Sequence, residues 1–193
     1  MAYETMGVRI RGLVPTIMHN GQLADPMNQW ARAIKEITSK RKKTAEDLAE
    51  LMRLEWYGGL YVDDRGAPCW PGENIEAMLK TAAKTEKMGK QVDKGLRCNG
   101  NWPLIYDGPK TADELWALDP KYRFSKLVRV GQVKVMRTRP IFSEWELKCE
   151  LLWNPSKFNA KDLEGWLAIA GDEVGLSDWQ RKYGLFEVVD VSA

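Results

Sequence analysis

At 193 residues, with 44% hydrophobic and 29% charged side chains, the chain has the make-up of a soluble globular protein able to bury a core in one domain, residues 1–193. No apolar run approaches the length of a membrane span. The opening MAYETMGVRIRG lacks a secretion-signal core, and three scattered cysteines (Cys69, Cys98, Cys149) suit neither a disulfide framework nor a zinc site, so no membrane contact and a cytoplasmic location are expected. The net charge of +2 is unevenly spread: residues 140–193 hold five basic against ten acidic residues, leaving 24 basic against 17 acidic in the rest. Such asymmetry suits a basic face for nucleic acid, or complementary surfaces that meet head to tail between copies.

In chain order, residues 4–14 alternate Met6, Val8 and Ile10 with Thr5, Gly7, Arg9 and Arg11, the period of a half-buried strand. Pro15 and a His19-Asn20-Gly21 turn follow. A helix-rich insertion is expected over about 26–58, with Trp30, Ala33, Ile34 and Ile37 on one side, interrupted by Lys40-Arg41-Lys42-Lys43. Thr44 and Asp47 form a helix cap, since the threonine oxygen accepts a free amide three residues on and the acid suits the helix dipole. Gly58-Gly59 ends that helix. Residues 60–70 predict a short hairpin around Asp63-Asp64-Arg65-Gly66.

Trp70-Pro71-Gly72-Glu73 then opens an amphipathic helix that packs Ile75, Met78, Leu79, Ala82 and Ala83, with Lys80, Lys84 and Lys87 on its outer face. Residues 88–125, rich in Gly, Pro, Asn and Lys, predict a long irregular excursion. Strands are expected over Lys126–Met136, ended by Arg137-Thr138-Arg139-Pro140, and over Trp145–Trp153. Asn159 caps a helix carrying Leu163, Trp166, Leu167 and Ala170 up to Gly171, and Leu185–Val191 closes the chain as a strand. The sum is an α+β chain in βαββαβ order, a ferredoxin-like (RRM-type) core with a helical insertion and a long irregular loop.

Three segments together resemble the RAMP superfamily of CRISPR-associated RNA-binding proteins. They are Val8–Pro15 running into Ile17-Met18-His19-Asn20, Pro71-Gly72 with Leu79-Lys80, and Gly175–Val188 before the last strand. Glu73-Asn74 stands where that family carries a Ser-Ser pair, and puts an acid where phosphate would be met. The likeness is strongest to backbone-type subunits and also admits a stand-alone or virus-borne relative. It implies binding of single-stranded RNA, a guide RNA among the candidates, with partners in a CRISPR-type complex or a head-to-tail homo-oligomer, and a role in antiviral defence.

The residues give that implication chemistry. Arg9, Arg11, Lys40, Arg41, Lys42, Lys43, Lys80, Lys84, Lys87, Arg137 and Arg139 supply cations for the RNA backbone, the arginines as forks for phosphate oxygens. Trp179, Arg181, Lys182 and Tyr183 combine ring faces with charge in one loop, as base stacking requires. Trp145, Trp153 and Trp166 follow apolar stripes and belong to the core. His19, the one histidine, is a further RNA contact and the candidate base of a metal-independent endoribonuclease, the alternative to a non-enzymatic binder. A third reading is an interaction or structural protein that mimics or inhibits a CRISPR complex. With no Walker loop, dinucleotide fingerprint or metal-spaced cluster, no cofactor is expected.

Overall fold

The computed structural model describes residues 2–118 and 120–192. In chain order its elements are β1 Glu4–Gly12, β2 Thr16–Ile17, α1 Gln29–Thr38, α2 Ala45–Gly59, β3 Cys69–Pro71, α3 Gly72–Ala83, α4 Gly89–Gly95, β4 Leu96–Arg97 and β5 Asn101–Ile105. Then come α5 Ala112–Ala117, β6 Arg123–Val130, β7 Val133–Phe142, β8 Glu146–Trp153, α6 Ala160–Ile169 and β9 Phe186–Ser192. No helix among the described residues is long and apolar enough to cross a membrane.

The main sheet runs β3-β5-β8-β1-β9, with β4 also paired to β8. The path β5-β8-β1-β9, with α3 and α6 packed together, is the antiparallel βαββαβ arrangement of a ferredoxin-like core. Alternation explains it: Met6, Val8 and Ile10 of β1 and Leu147, Cys149, Leu151 and Trp153 of β8 point to one side. There they join Ile75, Met78 and Leu79 of α3 and Leu163, Trp166 and Leu167 of α6 in one core. The tryptophans Trp145, Trp153 and Trp166 are buried in it.

Capping logic holds at both sites read from sequence. Thr44 with Asp47 and Asn159 with Asp162 each form a reciprocal capping box. The helix after Asn159 does not stop at Gly171; it continues through a π-type turn, Ala170–Val174. Pro71-Gly72 has a packing cause. A Cβ at Gly72 would lie 1.5 Å from the Cys98 carbonyl oxygen, so only glycine lets α3 start against the segment that follows β4.

Three expectations change. Residues 88–125 are not an irregular excursion: they hold α4, β4, β5 and α5. The core strand expected at Lys126–Met136 is instead β5, five residues long and containing Pro103. Residues 126–136 span a hairpin, β6–β7, because Gly131 takes φ +61° and reverses the chain between the paired Val130 and Val133. That hairpin continues through Arg137–Pro140 to Phe142 and forms a second sheet, β2-β7-β6. The hairpin expected over 60–70 shrinks to one bridge, Val62 to Pro68, while β3 pairs with β5.

Candidate nucleic-acid interface

The strand β1 meets β8 and β9 in a register that decides what the open face of the main sheet carries. Arg11 lies between Glu146 and Glu187, and Arg9 between Lys148 and Asp190. Both arginines bind Glu146: Arg9 Nη2 at 2.6 Å and Arg11 Nε at 2.8 Å, with Arg11 Nη1 3.4 Å from Glu187. The two guanidinium groups hold the Glu146 carboxyl below its ordinary range. Glu150 adds a further acid facing Gly7. The face that an RRM-type module would offer to RNA is therefore acid-balanced, and Arg9 and Arg11 are spent on carboxylates within it.

The basic surface lies on the β6–β7 hairpin. Between Arg123 and Phe142 the chain has Arg123, Lys126, Arg129, Lys134, Arg137 and Arg139, and no acid. Residues directly opposite in an antiparallel pair share a face. Phe124 opposes Arg139 and Lys126 opposes Arg137, which makes one face; Leu127 opposes Met136 and Arg129 opposes Lys134 on the other. Like charges set opposite repel; Glu55 relieves this at Arg137 on the first face, whereas Arg129 and Lys134 oppose each other on the second.

The first of these faces looks onto the loop before β9. That loop is pinned by Thr16 Oγ1 donating to the Leu176 carbonyl (2.6 Å), Ile17 N–H to Ser177 Oγ (3.0 Å) and Asp178 N–H to the Ile17 carbonyl (2.9 Å). It places Trp179 on the surface with Tyr183 at 5.8 Å between ring centres, and Tyr183 in turn 5.5 Å from Phe124. Lys126 Nζ stands 4.8 Å and Lys182 Nζ 5.6 Å from the Trp179 ring. Neither Trp179 nor Tyr183 joins the core cluster. Arg181 is exposed beside them, its backbone left-handed at φ +66° and its N–H bonded to the Val174 carbonyl.

Two acids fix the arginines at the base. Glu55, buried at the end of α2, accepts from Arg137 Nη1 and from the Thr138 N–H (2.9 Å), covering the edge of β7 that β6 leaves free. Arg139 Nε lies 3.2 Å from Asp178. With His19, the side chains of Glu55, Arg137 and Arg139 line a cleft of about 370 Å³, lined also by Leu23, Ala24 and Thr138. The His19 ring keeps an exposed edge, yet partial desolvation and then the Arg139 charge lower its pKa below the ordinary 6.5. The imidazole is thus neutral at pH 7.

Of the candidates named from sequence, the structure brings together His19, Arg137, Arg139, Trp179, Arg181, Lys182 and Tyr183. It adds Phe124, Lys126, Glu55 and Asp178, which that reading missed; the acid-free run from Arg123 to Phe142 was the available signal. The remaining candidates stand elsewhere. Lys40 pairs with Asp47 at 2.5 Å and Lys43 Nζ donates to the Lys40 carbonyl, while Arg41 and Lys42 are exposed on the α1–α2 turn. Lys80, Lys84 and Lys87 share no continuous helical face, because α3 ends at Ala83 and Lys87 turns left-handed at φ +64°. Lys80 pairs with Asp93 at 2.5 Å, in a pocket that also holds Glu73 and Glu76.

No family model matches the chain, and no curated protein does. Among solved structures it is similar to a chain of the Type III-B Cmr-beta complex bound to cognate target RNA, at a TM-score of 0.53 and 9% sequence identity. The match covers 99% of this chain and 60% of that one, a likeness of fold.

Proposed function

We propose that this chain is a non-enzymatic RNA-binding protein of CRISPR-backbone type, holding single-stranded RNA between the β6–β7 hairpin and the Trp179–Tyr183 loop. One observation carries the reading: a surface ring pair, Trp179 and Tyr183, is flanked by Lys126, Lys182 and Arg181 beside a hairpin without acids. Rings that stack any base, next to cations that follow any backbone, bind a strand without reading its sequence. The fold likeness to a chain of a complex bound to cognate target RNA supports RNA as the ligand, while a guide RNA as the strand and assembly along it rest on the family resemblance of the sequence. Protein purified from its native host without nuclease should carry RNA and should bind a labelled RNA oligonucleotide at low salt. A clean protein with no RNA affinity at low salt removes the reading.

The His19 cleft favours a second reading. A neutral imidazole beside Arg137 and Arg139 supplies a base for the ribose hydroxyl in metal-independent cleavage, and the two arginines would meet the phosphate only by giving up Glu55 and Asp178. End-labelled RNA incubated with the protein and a chelator should stay intact under the first reading. Cleavage that disappears in His19→Ala would replace it.

A further inference from the structure

The His19 cleft holds hydrogen-bonding groups that the protein does not itself use. Of its polar side chains, Glu55 is occupied by Arg137 and the Thr138 N–H, and the Thr138 hydroxyl by Ser125. Arg139 is different. Its side chain is 19% exposed, its Nε is buried, and among the described residues its guanidinium makes no hydrogen bond. Asp178 meets it as an ion pair, 3.2 Å from Nε, without hydrogen-bond geometry. Among the described residues the His19 ring makes no hydrogen bond either. A sheltered donor fork without acceptors is costly, and a ligand that supplies two acceptors removes the cost.

Charge narrows the kind of ligand. Arg137 is balanced by Glu55, Arg139 by Asp178, and His19 is neutral at pH 7. A phosphate would have to displace a carboxylate, whereas an uncharged ligand keeps both pairs and needs only the donors. Leu23 and Ala24 give the cleft an apolar wall, and its volume of about 370 Å³ lies at the lower end for small-ligand sites. A single flat base with its ribose has that size and character. The cleft also adjoins the ring pair: Arg139 opposes Phe124 across one strand spacing, about 4.8 Å, and Phe124 touches Tyr183.

We propose that this cleft takes one base of the bound strand and selects guanine or cytosine, the bases with two neighbouring acceptors on one edge, through the Arg139 fork. Guanine offers N7 and O6, the commonest partner of an arginine fork, and cytosine offers O2 and N3. In adenine and uracil a donor stands between the acceptors, and a guanidinium has no acceptor to meet it. A strand that Trp179 and Tyr183 hold without regard to sequence thus gains one read position. The proposal rests on the RNA-binding reading above, and its test separates the two.

The test is fluorescence anisotropy with a labelled oligouridine in which one central base is G, C, A or U. At least one of the G and C strands should bind about tenfold more tightly than the A and U strands, and comparing those two arms tells which edge is read. Arg139→Lys keeps a charge facing Asp178 but loses the fork; it should abolish the preference and leave affinity for plain oligouridine unchanged. Ala24→Phe, at an exposed position on the cleft wall, should do the same by filling the cleft, with circular dichroism checking that both variants keep the fold. Equal affinity for all four strands, a preference for A or U, or a preference that survives in both variants would overturn the proposal and leave RNA binding in place. No binding to any strand removes the RNA-binding reading and this proposal with it.

Discussion

Replacing Lys126, Arg181 and Lys182 together by alanine should flatten the salt dependence of RNA binding by a calculable amount. These three cations surround the Trp179–Tyr183 pair, and no acid pairs with them among the ion pairs of the described residues. Arg137 and Arg139 are left out because Glu55 and Asp178 already neutralise them. For single-stranded nucleic acid, the slope of log K against log salt is about −0.7 for each phosphate neutralised. Three contacts therefore contribute a slope of about −2. Between about 50 and 200 mM salt, that portion alone weakens binding by roughly 20-fold. Fluorescence anisotropy of a labelled 30-nucleotide RNA across a salt series measures it. The triple variant should show a slope shallower by about 2, while Arg9→Ala with Arg11→Ala keeps the parental slope because both arginines are bound to Glu146. A triple variant with the parental slope, or an Arg9/Arg11 variant that loses it, refutes the placement of the site.

Trp179→Ala should lower affinity by about 1–3 kcal/mol, the worth of one stacked base, and leave the salt slope unchanged in the same assay. Arg137→Ala should cost about 2 kcal/mol in urea unfolding, because it strips the buried Glu55 of its cation; the value falls below that of a fully buried pair since 36% of the Arg137 side chain meets solvent. Arg137→Leu with Glu55→Leu should recover only part of that loss, because the buried Thr138 N–H then loses its acceptor. For His19, the native pKa lies below 6.5, so the unfolded chain binds the proton first as pH falls. Its contribution is full above about pH 6.5 and declines toward the lowered native value. Between about pH 7.5 and 5.5 the parent should lose more stability than His19→Gln. Equal losses would show that the ring is not held neutral.

The legible parts were those whose cause is local. Alternation set β1 and β8, and a threonine or asparagine three residues before an acid set the starts of α2 and α6. β5 was not legible: five residues with a proline carry no period, and it is a strand only because β3 and β8 flank it. The lysines after Leu79 looked continuous because sequence spacing does not register that Met88 N–H bonds the Ala83 carbonyl and breaks the helix. At the site, Trp179 with Lys182 was visible as a cluster within one loop. Lys126 and Phe124 were hidden, since what makes them part of it is contact with Trp179 and Tyr183, more than fifty residues away.

The fold alone points to a different face from the one proposed. A ferredoxin-like sheet invites a strand onto its open side, and Arg9 and Arg11 stand there as if for phosphate. Register overrides that analogy. Glu146, Glu150, Glu187 and Asp190 come from β8 and β9 onto the same side, so an RNA backbone laid there would displace carboxylates from both arginines and meet their charge. The hairpin escapes this because its partner strand is its own continuation, and that stretch carries cations without acids. A segment inserted between two core strands can change its charge without disturbing core packing. The sheet face has less freedom, since β1 and β8 each answer to two neighbours there. That difference in constraint favours the hairpin as the place of the proposed RNA site.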